Sequence, residues 1–208
     1  MTLLPRPSVR IQRLLTRGMQ FLLLGIVGYG LLAGQTKAIV NGTASLLITF
    51  LPALLKRNYE LPLDPWLALW ITSSVFLHTL GSAGLYGQIW WWDHLTHALS
   101  ASLVAGAGYT AARAIDLYSD EIHIPRRIAF VYIFVVVLAF AVVWELFEFA
   151  LDIAADATGI TMPLAQIDLD DTVKDLLYNS LGALLVAVFG QAHLAGVADT
   201  VRDRFVST

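Results

Sequence analysis

The sequence contains no cysteine, which excludes disulfide bonds, thiolate nucleophiles and thiolate metal ligands. Charged residues are also scarce: they make up 14% of the chain, against about 25% in soluble domains. No basic patch with interleaved aromatic residues occurs, so the sequence does not indicate nucleic-acid binding. The sequence therefore does not fit a disulfide-stabilised protein, a thiolate-dependent enzyme or a nucleic-acid-binding domain. The apolar residues are the most informative part of the sequence.

Apolar residues dominate the sequence and occur in long runs. They form 57% of the chain, and its mean hydropathy is +0.68. Long apolar runs without strand-like alternation are typical of helices in a lipid bilayer. The sequence therefore predicts an all-α integral membrane helical bundle.

Six apolar segments stand out, and most are near the roughly 20 residues that a helix needs to cross the hydrocarbon core. They cover residues 18–34, 38–55, 65–85, 90–113, 127–151 and 172–194. We expect the first to be a retained helix and not a cleaved signal peptide, because no convincing small-residue cleavage site precedes Gln35. We predict six transmembrane helices in one membrane domain, residues 1–208.

Lysine and arginine residues are distributed unevenly around these segments. With the N-terminus inside, eleven fall in cytoplasmic pieces and only Lys37 and Lys174 fall outside. Cytoplasmic loops carry the excess of positive residues in multi-pass proteins. The pattern predicts cytoplasmic N- and C-termini in a multi-pass protein of the cell (plasma) membrane, with 152–171 as an acidic extracytoplasmic loop.

Polar residues recur at helical spacing near one end of three predicted spans. Asp93 and His97 are four residues apart, so they share one face of a helix. The corresponding sets are Glu145, Glu148 and Asp152 on the fifth span, and Asp171, Asp175, Asn179 and Gly182 on the sixth. The predicted topology places all three faces at the outer-leaflet level, where ionisable groups usually face a bundle interior or an aqueous cavity.

Acids outnumber bases in this set, so charge must be balanced by shared protons or by a bound cation. Oxygen ligands with one or two imidazoles suit a divalent cation such as Mg²⁺, Mn²⁺, Ca²⁺ or Zn²⁺. The predicted metal ligands are Asp93, His97, Glu145 and Glu148. We expect His94 to point away from Asp93 and His97 and to lie at the membrane interface, and His78 to lie near the level of the site.

The stretches "WWDHLTHALSA", "WELFEF" and "DTVKDLLYNSLGALL" resemble the YjdF-like family of uncharacterised multi-span membrane proteins, and more distantly the VanZ-like group. The resemblance covers about residues 50–190. It marks the following positions: Asp93, His97, Glu145, Glu148, Asp175, Asn179 and Gly182. The family has no established reaction, so the resemblance implies a multi-span membrane fold and a shared polar site but no activity.

These residues suggest a membrane-embedded enzyme, or a binder, acting on membrane lipid or a lipid-linked substrate. Asp171 or Asp175 would act as general base or would orient a metal ligand, and Asn179 would donate to a substrate oxygen. One alternative is a cation- or proton-coupled transporter, although the mostly apolar inner halves of the fourth and sixth spans weaken it. The other is a non-catalytic membrane protein in which the acids hold helices together through shared protons.

Overall fold

A computed structural model describes residues 7–59, 64–119, 121–159 and 169–206, and these are almost entirely helical. The helices and one π-helical turn follow in chain order: α1 (Val9–Ala33), α2 (Thr36–Ile48), α3 (Leu51–Tyr59), α4 (Pro65–Leu80), the π-turn (Gly81–Leu85), α5 (Tyr86–Gln88), α6 (Trp92–Tyr118), α7 (Arg126–Thr158) and α8 (Leu169–Val206). The two ends of the predicted loop 152–171 are helical, since they belong to α7 and α8. Residues 160–168 of that loop lie outside the described residues.

Local sequence explains several helix ends. Helix α4 begins where Asp64 accepts a hydrogen bond from the Leu67 amide at 2.8 Å and Pro65 occupies the first turn. Helix α7 ends at Gly159, whose φ of 69° is in the left-handed region that glycine tolerates best. Helix α2 ends at Ile48: the Phe50 amide donates to the Leu47 carbonyl at 3.1 Å, which tightens the last turn, and Pro52 has no proton to donate to the Ile48 carbonyl.

Four helical stretches of the described residues are long and apolar enough to cross a membrane. They are Val9–Ala33, Thr36–Asn58, Pro65–Gln88 and Arg126–Thr158. Their surfaces carry large apolar side chains such as Phe21 and Val143, which are 73% and 64% exposed. Such surfaces are stable in contact with lipid, which solvates apolar side chains as well as a protein core does. These features confirm a helical membrane protein, and the number of six spans stays a prediction.

Helices α6 and α8 carry more polar residues than the other long helices and pack closely along each other. The buried positions of α6 are alanine, glycine, serine and threonine, which let a neighbouring backbone approach. At the closest point, a Cβ on Gly182 of α8 would collide with the carbonyl oxygen of Ala98 on α6. An apolar core lies beside this contact; it contains Ala101, Ala105, Ile133, Val137, Ala183, Val186 and Leu194.

Two further long helices, α4 and α7, pack against this pair. Helix α7 packs on α6 and α8, whereas α4 packs on α6 and on a separate pair formed by α1 and α2. The π-turn after α4 folds the ring of Tyr86 against Gly81, where any side chain would collide with it. This placement directs the Tyr86 hydroxyl towards His78 of α4 and Thr96 of α6.

Candidate metal centre

The first turns of α6 place Asp93 and His97 on one face, as their spacing predicts. The Nε2 atom of His97 lies 3.7 Å from Oδ1 of Asp93. The same nitrogen lies 3.5 Å from Oδ2 of Asp175, which comes from the first part of α8. The imidazole of His97 therefore faces two carboxylates that come from different helices.

Helix α7 contributes a third carboxylate, from Glu145. One ligand atom from each of His97, Glu145 and Asp175 lies within 4.8 Å of the others, so these three residues could hold a metal ion. The two acids are deeply buried, with exposures of 6% for Glu145 and 2% for Asp175. We call this set of three residues the metal triad.

Two carboxylate oxygens at this site have no hydrogen-bond partner among the described residues. They are Oε1 of Glu145 and Oδ1 of Asp175, and both are buried. The side chain of Thr172 hydrogen bonds to Glu145, which leaves one oxygen of that carboxylate without a donor. A buried carboxylate oxygen without a donor is costly, and a cation or a proton at the site would remove that cost.

The carboxyl groups of Asp93 and Asp175 are close enough to hydrogen bond with each other. Two ionised carboxylates cannot form such a bond, because neither oxygen carries a proton to donate. A proton shared by Asp93 and Asp175, or a positive ion between them, would stabilise this contact. The sequence suggested two ways to balance the charge, a shared proton or a bound cation, and both fit this geometry.

Asn179 lies one helical turn beyond Asp175 on α8. Its side chain is 6% exposed and hydrogen bonds to His97. Such a bond fixes the orientation of the imidazole, as partners of metal-ligating histidines commonly do. The sequence predicted that Asn179 donates to a substrate oxygen, and that role stays a prediction; in the structure its side chain bonds to His97.

The expectation that His94 points away from Asp93 is wrong, whereas its position at the membrane interface stays a prediction. The His94 ring stacks on Tyr178 of α8, with 4.2 Å between ring centroids, and its buried Nδ1 has no partner among the described residues. Ligand atoms of Asp93, His94 and Asp175 lie within 4.8 Å of one another and form a second candidate metal group. The three-residue spacing of His94 and His97 could have indicated this, since residues i and i+3 are neighbours on a helix.

Two predicted site residues lie beside the metal triad and outside both candidate groups. Oε1 of Glu148 accepts a hydrogen bond from Trp144 Nε1 at 2.9 Å. Asp171 is partly buried in the first turn of α8 and is close enough to influence Glu145 electrostatically. The structure thus brings together Asp93, His97, Glu145, Asp175 and Asn179, and it places Glu148 and Asp171 at the edge.

A row of hydrogen bonds that joins α4, α5 and α6 adjoins the site. The Tyr86 hydroxyl lies 2.7 Å from Nδ1 of His78 and 3.3 Å from Oγ1 of Thr96. Further along α4, the hydroxyls of Ser74 and Ser100 are 2.9 Å apart. Sequence reasoning missed Tyr86 and Thr96, because the π-turn that aims Tyr86 has no obvious periodic pattern.

A cavity of about 310 Å³ extends from the site into the bundle. His78, His97 and Asn179 line its polar end, and α2, α4, α6 and α7 supply its mostly apolar walls. The cavity gives the polar groups of the site an accessible space next to them.

Comparison with known proteins supports the membrane assignment. The family described as "Predicted membrane protein (DUF2238)" matches residues 14–196. Neither a curated protein nor a solved structure matches the chain. The matched range contains every residue of both candidate metal groups. The chain belongs to the DUF2238 family of predicted membrane proteins.

Proposed function

We propose that this protein crosses the plasma membrane six times, with both termini in the cytoplasm and the metal triad at the outer-leaflet level. The distribution of lysine and arginine supports this orientation. The polar content of α6 and α8 is compatible with membrane insertion because these two helices pack on each other and α7 packs on both of them. The exposed Trp90 lies just before α6, where tryptophan is favoured at a membrane interface.

We propose further that the metal triad binds a divalent cation, with Asp93 as an additional ligand. The observation that carries this is the pair of buried carboxylate oxygens, on Glu145 and Asp175, that lack donors within the described chain. A nitrogen ligand with several oxygens suits Mn²⁺ or Zn²⁺ better than Mg²⁺ or Ca²⁺, which prefer oxygen alone. The cation would also neutralise the closely spaced carboxylates.

The function that this site supports best is that of a cation-dependent enzyme or binder acting on a lipid or a lipid-linked substrate. A cation at the triad would attract an oxyanion such as phosphate, and the cavity beside His97 would admit it. Asn179 would hold His97 in place. Asp171, which lies near the triad without belonging to it, is the residue we assign to proton transfer.

A second candidate function is helix locking, in which the Asp93 and Asp175 carboxyl groups share a proton and hold α6 to α8 without any metal. The contact between these two carboxyl groups favours it. Proton-coupled transport would need a polar path to the other side of the membrane. Ile133, Val137 and Val186 belong instead to an apolar core between α6, α7 and α8. The apolar core disfavours transport and leaves helix locking as the main rival.

Elemental analysis of the protein purified without chelators tests the proposal. We expect close to one equivalent of Mn or Zn in the wild type and a large loss in Asp175→Asn. Asp170→Asn is the matched control, because this acid is on the same helix but its side chain is 74% exposed and pairs with Lys174. Metal-free wild-type protein that also fails to bind added Mn²⁺ or Zn²⁺ would favour helix locking.

A further inference from the structure

The cavity beside the metal triad has walls from helices that do not pack on each other. Helix α2 lines one side and α7 the other, with α6 between them. Among the described residues, α2 packs on α1, α4 and the π-turn, whereas α7 packs on α6 and α8. A gap therefore separates α2 from α7 along the side of the bundle.

Two exposed residues border this gap. Ile48 of α2 and Phe140 of α7 both line the cavity, yet they are 43% and 61% exposed. In a membrane protein, this exposed apolar side faces hydrocarbon. The cavity is thus open towards the bilayer, and a lipid could enter it sideways without crossing water.

The lining changes from polar to apolar along the length of the cavity. His97 and Asn179 are at one end, and Val104 and Val137 are towards the other. The seven residues from His97 to Val104 correspond to about 10 Å along α6, at a rise of roughly 1.5 Å per residue. The volume of about 310 Å³ is at the lower limit of the roughly 300–1,000 Å³ typical of ligand pockets. Such a space suits one narrow chain better than two.

We propose that this cavity binds the tail of a single-chain anionic amphiphile, which enters from the bilayer between α2 and α7. Its oxyanion head would lie beside His97 and Asn179, next to the cation. This inference rests on the proposed function, because the carboxylates of the triad would repel an anionic head if no cation were present. It adds to that function the class of substrate, a lipid with one tail, and its route of entry.

Photolabelling in nanodiscs of dioleoyl phosphatidylcholine tests the tail site and avoids detergent, whose own tail would compete for it. The probe is dodecyl phosphate with a diazirine near its methyl end, added with Mn²⁺ or with EDTA. We expect labelling near Val104, Val137 and Phe140, detected by mass spectrometry of the digested protein, and weaker labelling with EDTA. Labelling confined to surfaces outside the cavity overturns the proposal.

Two variants fill the cavity from opposite walls, Ala44→Phe from α2 and Ala141→Phe from α7. Excluding about two methylene groups from the cavity should weaken labelling roughly tenfold in each. Val143→Phe is the matched control, because Val143 is on α7 but is 64% exposed. Retention of bound Mn²⁺ and of the wild-type elution volume shows that a variant has folded. Unchanged labelling in both folded variants contradicts the proposal.

Competition experiments identify the ligand class. Unlabelled dodecyl phosphate should displace the probe, whereas a two-tailed phosphatidic acid and dodecylammonium should not; effective competition by either of the last two overturns the proposal. The tail site and the cation site can fail these tests separately. If the protein binds Mn²⁺ but the cavity is not labelled, the tail site is excluded and the cation site stands. If the cavity is labelled equally with EDTA and in Asp175→Asn, the proposed cation site is excluded, and with it the proposed position of the oxyanion head.

Discussion

Gly182 of α8 lies directly against the backbone carbonyl of Ala98 on α6. This contact lies between the two helices that carry the facing residues His97 and Asp175, and the Nε2 atom of His97 is 3.5 Å from Oδ2 of Asp175. A residue without a side chain at position 182 therefore sets the spacing on which the metal triad depends. The close packing of the α6 and α8 backbones and the geometry of the polar site therefore both depend on Gly182.

The variant Gly182→Ala should both destabilise the protein and weaken metal binding. An added methyl group must push α8 away from Ala98, and overpacking of this kind costs about 1–3 kcal/mol. Thermal unfolding and a Mn²⁺ titration would measure the two effects. Gly18→Ala is the control, since an added Cβ there meets nothing within 4 Å. If Gly182→Ala binds Mn²⁺ as tightly as the wild type, the spacing argument is incorrect.

Substitutions of individual acids should show which of the metal ligands predicted from the sequence bind the ion. We expect Glu145→Gln to lose most of the bound metal, because Glu145 belongs to the metal triad. Glu148→Gln should keep its metal, because Glu148 is outside both candidate groups and accepts a hydrogen bond from Trp144. Metal content by mass spectrometry would decide, and equal losses in the two variants would restore Glu148 as a ligand.

Removal of the Tyr86 hydroxyl should affect stability and leave metal binding intact. Tyr86→Phe breaks the contact with Nδ1 of His78, and one such hydrogen bond contributes about 0.5–1.5 kcal/mol. Tyr29→Phe is a suitable control because Tyr29 is 63% exposed. Unfolding temperatures and metal content of both variants would be compared with the wild type. A loss of metal in Tyr86→Phe would show that the His78 region belongs to the metal site.

Asp116, beyond the end of the predicted span 90–113, should make stability depend on pH. The Ile124 amide donates to its Oδ1 at 2.8 Å, and this bond, together with the Arg113 guanidinium, lowers the pKa of the Asp116 carboxyl. A lowered native pKa means that the ionised group stabilises the fold above its unfolded pKa of about 3.9. This stabilisation is lost as the pH falls through the native pKa.

Asp116→Asn should therefore lower the free energy of unfolding by roughly 1–3 kcal/mol at neutral pH, as for other hydrogen bonds to charged groups. The difference from the wild type should shrink in acid, once Asp116 is protonated in both states. Thermal unfolding across a pH series measures this, with the exposed Asp156→Asn as control. A difference that is constant with pH would contradict the assigned role of the Asp116 charge.

Helical spacing was sufficient to predict part of the site. Asp93 and His97 share a face of α6, and Asp175 and Asn179 share a face of α8, as i, i+4 pairs must in a regular helix. The predicted topology further placed these faces at one level of the membrane. The structure brings Asp93, His97 and Asp175 close together, with one carboxylate of α7 beside them.

Periodicity alone could not predict which carboxylate of α7 would enter the site. Glu145 and Glu148 are three residues apart, and the rotation of α7 against α6 and α8 decides that Glu145 is buried. His94 was missed for a similar reason, since its position depends on stacking with Tyr178 of α8. The cavity depends on the gap between α2 and α7, and no local pattern in the sequence encodes that gap.

Pulsed electron paramagnetic resonance of bound Mn²⁺ would test the central claim, that His97 and acids from three helices form one cation site. We expect nitrogen modulation from an imidazole ligand in the wild type. That modulation should persist in His94→Ala and disappear in His97→Ala. Wild-type protein with bound Mn²⁺ but no nitrogen modulation, or modulation that survives in His97→Ala, would contradict the claim.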